Sequence, residues 1–490
     1  MSDYKPAGEF IEAKHVDIAP KYFDPTLSTG SSEAWAYYHQ MLDALIKPMP
    51  EGPRTLCLAT ALYLSDDEKV YEFKLREGVK FHNGDTMTAV DVKYSFERYS
   101  GIYSNDLHEK VERVEIVDDY TIRFHLKDPW PGFLAMYTDT CFSGANFIVP
   151  AAYVERVGDE GFLLHPIGCG PYKFVSFDKD GLVLEAFEDY WRKVPHIKTI
   201  KSRSITEGST RLAALVTDEV DMGRSLRGDL YYAAMKEPNV TVYPSSSLSM
   251  WYLELTAQWD PNSPWSDVRV RKAATLALDR PTLRDAAQPG GNLSSTIIPP
   301  SIPGTISVER KADPYDPEKA KELLAEAGYP NGFYGGGLYG TDSKIPLMEL
   351  IASYWSKVGI EIDLKILERA AFYAAKEDLS MKGDIVLGGT AGPDLFGRLA
   401  STMTNVYGHY ADVDDLWAKI EVSQDFEGRA VLMRQFEELV TDKYIYVPLT
   451  QVCSAIGVGP RVKYAALDIS IISWASPWED VELYPDARTR

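Results

Sequence analysis

Few residue groupings in this 490-residue chain have the types and spacing that chemistry needs. Gly335-x-Gly337-x-x-Gly340 formally matches a dinucleotide fingerprint. That motif works only where a strand precedes the first glycine and a helix follows the last, so that a pyrophosphate meets the helix N-terminus. Here Asn331-Gly-Phe-Tyr precedes it and a turn follows, which predicts a flexible loop. The chain has no Walker loop, no His-Glu-x-x-His pair and no Gly-x-Ser-x-Gly elbow. Its eight histidines are scattered singly and read as surface or structural residues. Among 72 acidic residues carboxylate pairs arise by chance. Nothing local marks two that would face each other at the about 5 to 9.5 Å that glycoside hydrolysis requires. No catalytic residue, metal site or cofactor follows from the sequence, and the chain is not expected to be an enzyme.

Composition narrows the class. Hydrophobic residues make up 45% and charged residues 25%, the balance of an ordinary globular protein, and the length suits two to four domains. A net charge of −21 disfavours nucleic acid, whose phosphates need a basic surface. It reads as a solvated acidic surface that keeps the protein soluble. Cys57, Cys141, Cys169 and Cys453 are widely spaced, with no Cys-x-x-Cys pair. One or two disulfides could form in an oxidising compartment, but the pairing is not readable from the sequence. No apolar run is long enough to cross a bilayer, and the start Met1-Ser-Asp-Tyr-Lys-Pro-Ala-Gly lacks a signal peptide's apolar segment, which by itself suggests the cytoplasm.

The elements that would position any site are legible in places. Residues 71–98 read as an alternating strand with Tyr71, Phe73 and Leu75 on one face, a turn at Gly78, a second short strand ending in His82-Asn-Gly-Asp85, and a helix opened by Thr88 with Asp91 three residues on. Val114 and Ile116, the Asp118-Asp119 turn, then Ile122, Phe124 and Leu126 form a hairpin, so residues 44–165 look β-rich with few helices. Beyond Tyr172 come an alternating strand (Leu182, Leu184, Ala186), a helix over 210–217 and a strand around Val220. From Trp251 onward helices lengthen. Asp316 caps one with Pro317 at its first position, a stripe of Ala320, Leu323, Leu324 and Ala327, and a Gly328 stop. Further helices are predicted over 346–358 and 428–441, and a strand over 360–366. Strands mixed with helices are the α/β pattern.

The order of elements over 71–98 resembles the family 5 extracellular solute-binding proteins, receptors of dipeptide, oligopeptide and nickel uptake. Further segments carry the same likeness in family order over roughly residues 24 to 330. They are Ile167-Gly-Cys-Gly-Pro-Tyr-Lys173, Asp189-Tyr-Trp-Arg-Lys-Val-Pro195, Thr210-Arg-Leu-Ala-Ala-Leu215 with Glu219-Val-Asp221, Asp267-Val-Arg-Val-Arg-Lys-Ala-Ala274, and Tyr315-Asp-Pro-Glu-Lys-Ala-Lys-Glu-Leu-Leu324. The resemblance implies an α/β, two-lobed periplasmic-binding-protein fold with an extra β-rich domain inserted in the first lobe. Lobe I would comprise 1–43, 166–248 and 458–490, the insertion 44–165, and lobe II 249–457, with hinge crossings near 248–255 and 448–458. It also implies a periplasmic or lipid-anchored extracellular monomer, here a form with its leader removed. That monomer would close on a small solute, peptide-like or sugar- or opine-like, and deliver it to a membrane ABC permease. Service as a chemosensory receptor, or a hydrolase on the same scaffold, are the alternatives.

Candidate site residues follow from the same likeness. The N-terminal loop that lines the cleft in peptide-binding relatives corresponds to Thr29, Gly30, Ser31 and Ser32, with Trp35 just beyond. Trp251 and Tyr252 fall at the expected hinge, and flat rings there can wall a cleft. Peptide binders usually carry a Trp and an ammonium-holding Asp in the segment that here reads Gly389-Thr390-Ala391-Gly392-Pro393-Asp394, followed by Arg398. The Trp is missing and only Asp394 could replace the carboxylate. A buried ammonium without a carboxylate partner is costly, so a neutral or anionic solute is expected in place of a simple α-peptide.

Overall fold

A computed structural model describes residues 5–27, 32–130, 132–138, 143–300, 305–390, 408, 410–423, 426–467 and 477–484. The chain divides into two compact units, Met1–Tyr243 with Ala455–Arg490, and Pro244–Ser454.

In the first unit β1 (Ala7–Lys14) enters directly, and a short hairpin pairs β2 (Ile46–Met49) with β3 (Gly52–Leu56). A four-stranded antiparallel sheet follows, built from β4 (Ala59–Leu64), β5 (Val70–Leu75), β6 (Val111–Asp118) and β7 (Thr121–Leu126) in the order β4-β5-β7-β6. Tyr71, Phe73 and Leu75 are the buried face of β5, as their alternation predicts. The helix Ala89–Arg98 carries the predicted capping box: the Thr88 amide donates to Asp91 Oδ2 at 2.9 Å and the Thr88 side chain accepts from the Asp91 amide. Asp91 Oδ1 also accepts from the Ala151 amide at 2.9 Å. Residues 44–165 hold four helices among the described residues, more than sequence reading foresaw. Phe73, Phe96, Phe124, Phe133 and Tyr137 make their aromatic core.

The unit's main sheet is β8 (Tyr172–Asp178), β9 (Gly181–Ala186), β10 (Ile197–Ser204) and β11 (Met222–Leu226) around β1. β1 runs parallel to both neighbours, β10 on one side and β11 on the other, and the helix Gly208–Val216 links those two. Two motifs noted in the sequence act here as backbone joints. A Cβ on Gly168 would meet the Met41 carbonyl oxygen at 2.3 Å, and one on Gly170 the Leu42 amide nitrogen at 2.6 Å, so glycine alone lets this segment cross residues 41–42. His82 fastens the same segment, with Nε2 3.0 Å from the Gly170 carbonyl and Nδ1 accepting from the Gly168 amide at 3.3 Å. This pairing assigns the neutral tautomer with its proton on Nε2.

The second joint is Asp43, fully buried. Its carboxylate accepts from Lys47 Nζ at 2.6 Å, Cys57 Sγ at 3.1 Å, Tyr190 OH at 2.8 Å and Trp191 Nε1 at 2.8 Å. The adjoining Arg192 and Lys193 reach Glu479 and Asp480 at 2.8 Å each. Cys57, Cys169 and Cys453 are buried; Cys141 lies outside the described residues.

The boundary between the units falls within two long strands, β12 (Thr241–Leu255) and β16 (Tyr446–Val458). In the second unit β13 (Phe333–Thr341), β14 (Ile360–Leu367) and β15 (Ile385–Thr390) join β12 in the order β14-β13-β15-β12. β13 again runs parallel to both of its neighbours. The expected loop at Gly335-x-Gly337-x-x-Gly340 is therefore corrected: these glycines lie inside β13. They are small because neighbours press close, a Cβ meeting Trp265 at 2.9 Å from Gly335 and Met348 Sδ at 2.6 Å from Gly340. Lying within the strand, they also cannot form the turn that a dinucleotide site needs. Among the described residues no helix is long and apolar enough to cross a membrane.

Candidate functional site

Each unit contains the same topological device. A central strand is flanked by two parallel strands that the chain reaches in opposite directions, β10-β1-β11 in the first unit and β14-β13-β15 in the second. Ligands of open α/β sheets bind outside the carboxyl ends of strands at such switch points, because the following loops diverge there.

In the second unit that end gathers three of the residues singled out in the sequence. Trp251 pairs with Gly389 and Met250 with Thr390 across β12 and β15. A Cβ on Gly389 would sit 3.4 Å from the Trp251 ring, so the glycine leaves that face of the indole open to its strand neighbour. Lys344, which follows β13, was not foreseen. Its Nζ lies 5.3 Å over the Trp251 ring and 5.9 Å from that of Phe372, and donates to the Leu387 carbonyl at 3.0 Å. Trp251 is half-buried, whereas Tyr252 is buried against Tyr446, ring centroids 4.9 Å apart.

In the first unit Trp35 is buried in the main core, on the helix Ser32–Met41 that begins at Ser32. Thr29, Gly30 and Ser31 lie outside the described residues, as do Ala391, Asp394 and Arg398. The carboxyl ends of β1 and β11 bring together a charge cluster that sequence reading missed. Glu12 pairs with Lys14 at 2.6 Å and Arg224 at 3.2 Å, and accepts from Ser202 at 2.9 Å. Burial raises the Glu12 carboxyl, but Lys14 and Arg224 outweigh it and hold the group at about 2. His15 is drawn down to about 3, first by burial and then by the charges of Arg227, Arg211, Arg224 and Lys14, so it is neutral at pH 7.

Two arginines from the quoted sequence segments have structural duties. Arg211 donates to the carbonyls of Ile205, Thr206, Arg224 and Ser225, and Arg271 to those of Trp265, Ser266, Lys443 and Tyr444. A guanidinium offers five donors in a fixed fork, which suits several converging carbonyls. A groove of about 1140 Å³ also opens in the first unit between the β8–β9 hairpin and the end of β10. It is lined by charges of both signs and holds none of the candidate residues. Among the described residues no group of His, Cys, Asp or Glu could hold a metal ion.

The profile of bacterial extracellular solute-binding proteins, family 5 (middle), matches residues 55–405, and the chain belongs to that family, whose members serve ABC importers. The glutathione-binding protein GsiB of Escherichia coli O1:K1 is 30% identical over 337 residues, 66% of this chain and 63% of that protein. The match thus spans under two thirds of that relative's length. Among solved structures, DppA of Helicobacter pylori in complex with the peptide STSA is 26% identical, with a TM-score of 0.74 over 97% of this chain and 98% of that one. NikA of Brucella suis in complex with Fe(III)-EDTA superposes with a TM-score of 0.82 at 23% identity over 98% and 100% of the two chains. The fold is that of the periplasmic binding proteins.

Proposed function

We propose that this protein is the receptor of an ABC importer for a small, peptide-like solute carrying an anionic group, and that it hands the solute to a membrane permease without altering it. The carrying observation is the Lys344 ammonium over Trp251 beside Gly389 and Thr390 at the switch point of the second unit. A cation stands near the segment where peptide binders usually carry an ammonium-holding carboxylate, and a cation favours a carboxylate on the ligand. The binding of glutathione by GsiB, as its name states, supports the same class, since glutathione is a tripeptide with two carboxylates and an unusual linkage.

Calorimetry with glutathione, trialanine and a panel of oligosaccharides and sugar–amino acid conjugates tests the reading. An anionic conjugate is expected to bind at least about tenfold more tightly than trialanine, which loses a charge-assisted contact. Micromolar binding of ordinary tripeptides would overturn it, and the recovered solute should be chemically unchanged. Closure by rotation about the two crossings in β12 and β16 should shrink the scattering radius of gyration on binding; tight binding with an unchanged radius removes the hinge.

Trp251→Ala is expected to weaken solute binding about tenfold or more, as loss of a buried aromatic anchor does, while the melting temperature stays nearly intact because the ring is only half-buried. Loss of stability at unchanged affinity would assign the ring to the core.

A further inference from the structure

The groove of about 1140 Å³ between the β8–β9 hairpin and the end of β10 has a floor that the fold holds in place. Asp178 pairs with Gly181 across the two-residue turn Lys179-Asp180, and the Asp180 amide donates to Asp178 Oδ1 at 2.8 Å. Gly181 has φ of +118°, and a Cβ on it would meet the Ser202 carbonyl oxygen at 2.1 Å. Glycine alone therefore lets the hairpin lie this close on β10. From the other side the Ile18 amide donates to Ser204 Oγ at 3.1 Å, which ties the segment after β1 to the end of β10. Ile18 and Leu182 belong to the main core and Phe177 packs against it, so the groove has an apolar floor. Its volume has room for an amino acid or a short peptide.

The rim carries charges of both signs. Lys201 is held by Glu9 at 2.7 Å. Asp17, Asp178, Lys179, Asp180 and Arg203 are exposed, and among the described residues none of them forms an ion pair. Asp17 and Arg203 each precede a partner of the Ile18–Ser204 bond, so an acid and a guanidinium stand at the same end of the groove. Opposite charges left apart over an apolar floor suit a molecule that carries both charges itself. The guanidinium fork takes a carboxylate through two parallel bonds, and the aspartate accepts from an ammonium. A ligand of one sign would be repelled by half of the rim.

We propose that this groove is a binding site, separate from the one at Trp251, for a zwitterion with an apolar side chain, an amino acid or the end of a short peptide. Arg203 takes its carboxylate, Asp17 its ammonium, and Ile18 and Phe177 meet its side chain. The site goes beyond the receptor reading and does not rest on it. Because the rim is solvated and its charges are screened, binding is expected in the millimolar range, well above the micromolar affinities that decide the solute panel.

Leucine is the probe. With the Ile18 methyl signals assigned from an Ile18→Val variant, titration of the whole protein with leucine at pH 7 should shift them saturably in NMR spectra. Arg203→Ala and Asp17→Asn, at exposed positions that leave the fold intact, should each weaken that binding by about threefold, as loss of one solvated ion pair does. N-acetyl-leucinamide keeps the side chain without either charge and should bind about tenfold more weakly. Trp251→Ala should leave the leucine titration unchanged. Ile18 signals that stay fixed in a large excess of leucine, or that respond equally to the amide or in the two rim variants, overturn the site; so does loss of the shift in Trp251→Ala, which would assign leucine to the second unit. The receptor reading fails separately: saturable leucine binding at Ile18 with no affinity for any solute of the panel would leave the groove site standing and remove that reading.

Discussion

Replacing Asp43 by Ala is expected to destabilise the protein by about 3 to 5 kcal/mol, because it strands a buried ammonium without its carboxylate. Lys47 Nζ lies 2.6 Å from Asp43, and both side chains are essentially inaccessible. Burial raises the Asp43 carboxyl, but Lys47 more than offsets this and the group is held below the usual range; burial likewise opposes the Lys47 charge, and Asp43 raises it. Three more donors, Cys57, Tyr190 and Trp191, lose their acceptor in the same step. Urea unfolding measures the loss. The double variant Asp43→Ala, Lys47→Met should recover about half of it, since removing both charges leaves only the neutral donors unpaired. A loss below about 1 kcal/mol would show that Lys47 finds Glu479, whose own carboxyl burial has raised and Lys47 partly restrains.

Acidification is the second large effect. His82 is pulled down to about 4 chiefly by burial, against an ordinary value of 6.5, and the Gly170 carbonyl opposes the shift only in part. Between those values the unfolded chain binds a proton that the folded chain does not, so stability rises with pH there. His82's contribution is complete above pH 6.5 and is lost as pH falls toward 4, at about 1.4 kcal/mol per pH unit and about 3 kcal/mol in all. His15, drawn to about 3, acts in the same direction. Asp91, Glu437 and Glu479, each raised chiefly by burial, act in the opposite direction. The difference between wild type and a variant therefore isolates the histidine. His82→Gln should be less stable at pH 7.5 and should lose less stability on titration to pH 4.5 in denaturant-unfolding experiments. Parallel pH profiles for the two proteins would rule His82 out as the source.

What could be read in the sequence was local. The alternation of Tyr71, Phe73 and Leu75, the Thr88-x-x-Asp91 cap and the Asp316-Pro317 helix start each depend on residues within a turn or a strand of one another. Their physics is complete inside a short window, and the structure has all three. The family resemblance is likewise a matter of residue order. Gly335 to Gly340 misled for the opposite reason. Glycine clusters read as loops by propensity, but here their smallness answers to Trp265 and Met348, neighbours that only the folded unit supplies.

The candidate site divides along the same line. Trp251, Gly389 and Thr390 could be singled out from sequence, yet their meeting across β12 and β15, and Lys344 above them, follow from strand pairing between segments more than 130 residues apart. The charge cluster of the first unit had no local signal at all. Glu12 and Arg224 are 212 positions apart, and Asp43 meets Tyr190 across 147. Single acids and arginines are common in any chain, and they become a buried network only when the fold strips away their water. The chain order of its elements thus determined which family this protein belongs to. Which charges lost their solvent, and so which groups could recognise a solute, was decided by tertiary structure alone, because desolvation is a property of what surrounds a residue in space and not of what precedes it in the chain.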